Sequence, residues 1–414
     1  MQVEVINTGT ELLLGQVVNT HVGYMGERLL GLGLRISRQS TVPDGVVIKG
    51  ILTEAIDRSR IILVTGGLGP TPDDLSREMT AECLGLKMTE DAAVIDAISR
   101  RFSDSAITMR PSNRRQAMVP EGAEVLENDK GTAPGLYLTA GPDDELVHIF
   151  LLPGPPRELY PMFEDQVIPR LHAILGNEGA NVPVCRNYFF MGLGESELAG
   201  RVEESLSAVP GDFEIGYCLK AGGVIVRCIS TGDNACVLGG MIRDASPEDF
   251  VAEGETAIEE VAVKSLVHSG ESVATAESCT GGLIASRITN VPGASRIFNV
   301  GLVTYSNEEK CSLLGVPLSM IEDSGAVSER VAMAMVEGCL ERSGSDHGLS
   351  VTGIAGPGGG SETKPVGTVW IGLASRGKKA VAFHYRFKAE RLYFKERASS
   401  VAIDLLRRRI QGYL

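Results

Sequence analysis

Basic side chains are the scarcer charge in this sequence: Lys and Arg total 39 against 53 Asp and Glu, a net charge of −14. An acidic chain carries no electrostatic footprint for nucleic acid or for an anionic membrane, so neither is expected as a partner. No apolar run approaches the ~18 residues of a membrane span. The first residues, MQVEVINTG, have neither the basic region nor the apolar stretch of a secretion signal. A CxxC pair is also missing, and the eight cysteines are dispersed, so reduced thiols and a cytoplasmic location are expected. Internal repeats and low-complexity tracts are absent. The 49 glycines follow no period, which excludes collagen; they gather after apolar runs, where ligand loops form.

Short β-rich runs alternate with helical patterns along most of the 414 residues, a length that suits two or three domains. Strands are expected at Gln2–Asn7, Arg35–Thr41 and Arg60–Thr65, with helices at Asn19–Leu32 and Ile48–Arg58 between them. This order predicts an α/β fold with mostly parallel sheets covered by helices. Segments 175–183 and 243–254 read as linkers. They divide the chain into two three-layer α/β domains, 1–172 and 255–414, joined by a small α+β domain, 184–245.

The first chemical stretch is VTGGLGPTPDD. A strand ending in Gly66, Gly67 and Gly69, with Thr71 beyond, lets backbone approach an anion closely at the start of a helix. Asp73 and Asp74 follow. Carboxylates beside a phosphate cradle need a hard cation between them, and Mg²⁺ suits that need. Glu11 follows another strand end in GTELLLG, and LLPGPP forms a third loop on the same sheet edge. The alternative is that Asp73 and Asp74 only cap a helix. Neither GxxxxGK[ST] nor a strand-linked GxGxxG is present, so this is not a Walker loop or a dinucleotide fold.

The second stretch is AESCTGG, with Ser278 and Cys279 side by side between a strand and a helix. Ser278 at such a turn is an exposed nucleophile, and the Gly281 and Gly282 amides are candidate oxyanion donors. The alternative is a serine cap with Cys279 packed as a small hydrophobe. The attacking hydroxyl needs a base. His268 lies at a helix end, His347 in a polar turn and His384 in a strand, and none sits in a glycine loop. Lys310, after GLVTYSNEE, is the candidate, since a buried lysine loses its charge and accepts protons. The loop SVTGIAGPGGG adds Thr352 and Gly353 as candidate substrate contacts.

Ordered along residues 1–170, GTELLLGQVVNT, VTGGLGPTPDDLSRE, NRRQAMVPEGAEVLEND with GTAPG, and LLPGPPRELYPMF resemble the N-terminal domain of the CinA family. That domain is similar to the molybdopterin-binding fold. The resemblance implies ADP-ribose pyrophosphatase activity using Mg²⁺, Mn²⁺ or Co²⁺, with K⁺ beside it, on Asp73, Asp74, Asp44 and Glu11. Two departures stand out. His21 replaces an asparagine and is read as a surface or cap residue, and Pro43 and Gly45 leave Asp44 as the lone acid of its loop. Over 255–410, AESCTGGLIASRIT, VPGAS, GLVTYSNEEK, GAVSE and VTGIAGPGGG resemble the family's C-terminal nicotinamide mononucleotide (NMN) deamidase domain. By that resemblance Ser278 attacks, Lys310 and Tyr305 handle its proton, Thr352 contacts substrate and no cofactor is needed. Arg391 and the position of Lys395 would hold phosphate; Lys395 stands where the family has arginine, with Arg397 as a substitute fork. The expected protein is a pyridine-nucleotide salvage hydrolase, acting on NMN and ADP-ribose as a homodimer. A nucleotide-binding regulator of competence or DNA damage, without turnover, and a molybdopterin-binding protein are the alternatives.

Overall fold

The computed structural model describes residues 1–104, 108–142, 145–176, 183–220, 222–231, 234–254 and 256–414. Most of the expected linker 175–183, Ala221, and Glu255, the first residue of the last expected domain, lie outside the described residues. Packing divides the chain into two compact units, Met1–Val184 and Cys185–Leu414. Among the described residues, no helix is long and apolar enough to cross a membrane.

In the first unit the strands are β1 (Gln2–Thr8), β2 (Arg35–Val42), β3 (Ile61–Thr65), β4 (Met88–Glu90), β5 (Met118–Pro120), β6 (Glu124–Leu126), β7 (Gly135–Ala140) and β8 (Val147–Leu152). Six of them form a sheet in the order β2-β1-β3-β8-β7-β6, while β4 and β5 pair separately. The pairings from β2 to β8 are parallel, and β7 and β6 add an antiparallel edge. Residue alternation explains why both faces are covered. Ile61, Leu63, Phe150 and Leu152 enter one core, whereas Ile62, Val64, Ile149 and Leu151 enter another. A strand that is apolar on both sides belongs inside a three-layer sandwich. The carboxyl ends of β1, β3 and β8 therefore share one edge. From that edge leave the loops carrying Glu11, Gly66–Asp74 and Pro153–Pro155.

The second unit starts with β9 (Val184–Met191), β10 (Phe213–Lys220), β11 (Gly223–Ser230) and β12 (Phe250–Glu253), in the order β10-β11-β9-β12. This corrects the linker reading of 243–254: Phe250–Glu253 is a strand, paired antiparallel to β9 with Phe250 opposite Phe190. Polar neighbours disguise it, but Val251 is buried and joins the core that holds Ile258, Leu266 and Leu406. Charge reinforces the junction. Arg407 is fully buried and donates to the carbonyls of Glu248 and Phe250 at 2.7 and 2.9 Å. Arg408 donates to the Met191 carbonyl at 2.7 Å and to Asp249 at 2.6 Å, and Asp404 pairs with both arginines.

The remaining strands are β13 (Val273–Glu277), β14 (Phe298–Val303), β15 (His347–Gly353), β16 (Thr368–Ser375) and β17 (Val381–Arg386), in the order β14-β13-β15-β16-β17. The first three are parallel, and β16 and β17 close the sheet as an antiparallel hairpin. Leu349, Val351 and Ile371 face one core, Ala274 and Ala276 the other. The described residues are thus α/β throughout, with the six-stranded sheet and the β4–β5 pair in the first unit and the four- and five-stranded sheets in the second. His347 differs from expectation: it opens β15 rather than sitting in a polar turn, is buried, and its Nδ1 lies 2.9 Å from Ser375 Oγ.

Candidate functional site

Two short backbone bonds build the second unit's site. The Ser278 amide donates to the Val351 carbonyl at 2.9 Å, and the Thr304 amide donates to the Glu277 carbonyl at 2.9 Å. They draw the ends of β13, β14 and β15 together. Helix Asn307–Leu314 then begins at Ser306, whose hydroxyl accepts from the Glu309 amide at 3.1 Å. Lys310, in its first turns, reaches back over the helix start. Its Nζ lies 3.2 Å from Ser278 Oγ, 3.0 Å from the Thr304 carbonyl and 3.3 Å from that of Ser306.

Lys310 is 2% exposed, so it is not a solvated surface lysine. Burial lowers its pKa below the ordinary lysine value. A neutral amine has two N–H donors and one lone pair. The carbonyls of Thr304, Tyr305 and Ser306 surround the nitrogen; in the neutral form two N–H groups serve carbonyls and the lone pair can face the Ser278 proton. The neighbouring Cys279 behaves oppositely: burial pushes its thiol up to about 12. A thiol that holds its proton so firmly is a poor nucleophile. Gly353 packs against it, and a Cβ there would stand 3.1 Å from Cys279 Sγ and 2.9 Å from the Thr368 carbonyl.

A cavity of about 300 Å³ opens over this pair, lined by Ser278, Tyr305, Asn307, Lys310, Thr352, Gly353 and Arg391, with the glycine loop after β15 as one wall. Three expectations need correction, and a fourth is narrowed. Tyr305 touches Lys310 only through its carbonyl, at 3.4 Å; its phenol is exposed and accepts from Arg391 at 2.7 Å. The Gly281 and Gly282 amides are not free oxyanion donors. The first donates to the Ser278 carbonyl at 3.1 Å and the second to Glu277 Oε2 at 2.9 Å. Arg397 is no substitute fork, because its guanidinium lies over the Phe387 ring at 4.9 Å. Thr352 lines the cavity, but its hydroxyl donates to the Ala326 carbonyl at 2.8 Å, so it can only accept from a ligand. Arg391 is fixed by Tyr305 and by the Gly356 carbonyl at 2.9 Å, while Lys395 Nζ stands 3.6 Å from where a Cβ on Gly281 would be.

Sequence reasoning missed Glu277. It is 1% exposed, and its carboxylate accepts from the amides of Gly282, Ile284 and Ala285 at 2.9, 3.1 and 2.8 Å. A buried carboxyl group thus caps helix Leu283–Thr289 from the residue before the nucleophile. An acid followed by a glycine-led helix was the available signal.

In the first unit, Glu11, Asp44, Gly66, Gly67, Gly69, Thr71, Asp73 and Asp74 all line one cavity of about 410 Å³. Gly67 has φ +66° and leaves no room for a side chain beside the Ser76 hydroxyl. Asp44 accepts from the Thr10 amide at 3.0 Å, and Asp74 accepts from the Thr71 amide at 2.9 Å and from the Thr71 hydroxyl. Among the described residues, no three His, Cys, Asp or Glu side chains gather closely enough to hold an ion by themselves. Behind the loop, Arg77 is fully buried and donates to the Leu68 and Gly69 carbonyls at 2.6 and 3.2 Å. Peptide planarity then turns the Gly69 amide the opposite way from the Leu68 carbonyl. His21 is buried rather than a surface residue; burial lowers its pKa, and its ring meets the Gly154 backbone. Glu158 and Gln116, both buried, also line the cavity and were not foreseen.

Comparison with known proteins matches both sites to described domains. Residues 255–410 fit a family model described as "CinA C-terminal domain", and residues 4–173 fit one described as "Probable molybdopterin binding domain". A "CinA-like protein" of Akkermansia muciniphila is 43% identical over 97% of this chain and 96% of its own length. A "CinA-like protein" of Nostoc is 38% identical, covering 99% of each chain. The solved structure of the competence/damage inducible protein CihA from Agrobacterium tumefaciens is 39% identical over 36% of this chain and 93% of its own, with a TM-score of 0.35. With identity of this level running from end to end, the chain belongs to the CinA family and carries a molybdopterin-binding-like domain before its CinA C-terminal domain.

Proposed function

We propose that the second unit is an amidohydrolase that deamidates NMN. The observation that carries this reading is the buried Lys310 Nζ, 3.2 Å from Ser278 Oγ at the floor of a cavity. Ser278 Oγ attacks the carboxamide carbon and passes its proton to neutral Lys310. The tetrahedral intermediate collapses as Lys310 returns that proton to the amine, and ammonia leaves. Water then attacks the Ser278 ester, losing a proton to Lys310, which hands it to Ser278 Oγ as that oxygen leaves, so nicotinic acid mononucleotide is released and both groups are restored. With the Gly281 and Gly282 amides committed elsewhere, the Cys279 amide, next to the nucleophile in the cavity lining, is the oxyanion donor in this scheme. Arg391 and Lys395 meet the phosphate. Ammonia release from NMN tests it: Ser278→Ala should lose about 10³-fold or more in kcat, while Cys279→Ala keeps most activity. Thiol-dependent loss in the second variant would reverse the assignment.

A second reading concerns the first unit: hydrolysis of the ADP-ribose pyrophosphate bond to AMP and ribose 5-phosphate. Its support is a cavity lined by a glycine loop and five carboxylates with no basic residue. A divalent cation would supply the positive charge that phosphates need there. One or two of Asp44, Asp73, Asp74 and Glu11, together with substrate oxygens, would hold it. Buried Arg77 fixes the Gly69 amide toward the anion. The measurement is AMP from ADP-ribose with Mg²⁺, Mn²⁺ or Co²⁺ and K⁺ present; no AMP with any of the three sinks the reading.

A further inference from the structure

Between β15 and β16 the chain makes a long loop, residues 354–367, whose glycines wall the cavity over Ser278. Two bonds close its base. The Ile354 amide donates to the Thr368 carbonyl and the Gly367 amide to the Ile354 carbonyl, both at 2.8 Å. Above the base the loop folds over its own Val366. A Cβ on Gly356 would stand 2.6 Å from Val366 Cγ1, and one on Gly360 2.8 Å from the Val366 nitrogen, so both positions need glycine. The result is a wall of bare backbone. Among the described residues, the amides of Gly358 and Gly359, both in the cavity lining, donate to nothing. Neighbouring free amides make a concave seat for an anion. They do so only when the segment is held still, and glycine loses more backbone freedom on ordering than any other residue.

Lys364 supplies the hold. It is half-buried and pairs with no carboxylate among the described residues. Its Nζ donates instead to the carbonyl of Ser324, the last residue of helix Leu318–Ser324. A carbonyl at a helix C-terminus has no partner within the helix and carries partial negative charge, so an ammonium suits it. Gly325 makes the room: a Cβ there would stand 2.8 Å from Lys364 Nζ. A tight turn fixes the lysine on the loop side. Its amide donates to Ser361 Oγ at 3.0 Å, and its carbonyl accepts from the Ser361 amide at 2.9 Å. Ala326 and Val327, just beyond Gly325, line the same cavity. Lys364 thus ties two walls of one cavity together. Arg391 adds a second tether through the Gly356 carbonyl.

We infer that Lys364 is a positioning residue: it fastens the glycine loop to the turn after Ser324 and so holds the Gly358 and Gly359 amides for the anionic end of the ligand. This rests on the deamidation reading, in which that end is the phosphate of NMN. The test compares the full-length wild type with Lys364→Met on NMN and on nicotinamide riboside, which has no phosphate. Methionine keeps the apolar stem and removes the donor. A binding wall displaced by about 1 Å costs up to about 100-fold. The preference in kcat/KM for NMN over the riboside should therefore fall about 10–100-fold, through KM rather than kcat. Equal proportional losses on the two substrates, or no loss on either, overturn the inference. Calorimetry with ribose 5-phosphate separates it from the reading it rests on. If wild type releases no ammonia from NMN, the deamidation reading falls, yet ribose 5-phosphate affinity that drops in Lys364→Met upholds the fastening. In that case equal affinity in the two proteins, or no binding to wild type, overturns the fastening as well.

Discussion

Lys310→Met is expected to lower ammonia release from NMN by about 10²–10⁴-fold, the usual range for loss of a general base. Methionine keeps most of the volume and the apolar stem but has no lone pair basic enough to take the Ser278 proton. The loss should therefore appear in kcat, with KM little changed, because Lys310 sits behind the nucleophile rather than around the nucleotide. Lys310→Arg should be as damaging, since guanidinium stays charged at every working pH. The wild-type pH profile carries the sign. Lys310 acts as a base only when neutral, and burial lowers its pKa. Activity should thus rise with pH and level off at a midpoint below the ordinary lysine value of about 10.4. A profile still climbing at that value would mean that Lys310 is not the group being titrated.

Glu277→Ala is the substitution with the largest expected effect on stability. It strands the amides of Gly282, Ile284 and Ala285 in the interior, where each unsatisfied donor costs about 1–3 kcal/mol. Water enters part of the space left by the side chain, so a net loss of about 3–5 kcal/mol is expected on that basis. Urea unfolding followed by far-ultraviolet circular dichroism measures it. Ammonia release should fall as well, because the turn that aims Ser278 is continuous with the helix that Glu277 caps. A drop in activity without a shift in the unfolding midpoint would contradict this linkage.

Much of this was legible in the sequence, and what was not has identifiable causes. Ser278 and Lys310 stand out because a strand-end serine and a lysine after a second strand end are placed together by parallel pairing of β13 and β14. The eight N-terminal residues gathered in one cavity follow from the same rule, that parallel strands share a carboxyl edge. The oxyanion donors were misread because a free amide and a capped one look alike in sequence. Only the folded position of the Glu277 side chain separates them. Arg397 was readable in principle: residues 391 and 395 share a face of helix Arg391–Ile410, and 397 points elsewhere. Strand β12 escaped because four residues flanked by Ser, Pro, Glu and Asp give too short a pattern for periodicity to register. His347 was placed in a turn because charged and small neighbours mask the start of β15.

Helix Arg391–Ile410 has 20 residues, a rod of about 30 Å at 1.5 Å per residue. Its first residue, Arg391, borders the cavity over Ser278, and its far end is riveted to β9 and to the segment around β12 by Arg407 and Arg408. The small sheet is therefore an anchor plate for the helix whose first residue, Arg391, borders that cavity. Any chain cut at residue 255 would keep Asp404 yet lose the Glu248, Phe250 and Met191 carbonyls and the Asp249 carboxylate that these arginines grip. Arg407, now sealed in the interior, and the largely covered Arg408 would face water, and the rod that carries Arg391 would be clamped only along its sides.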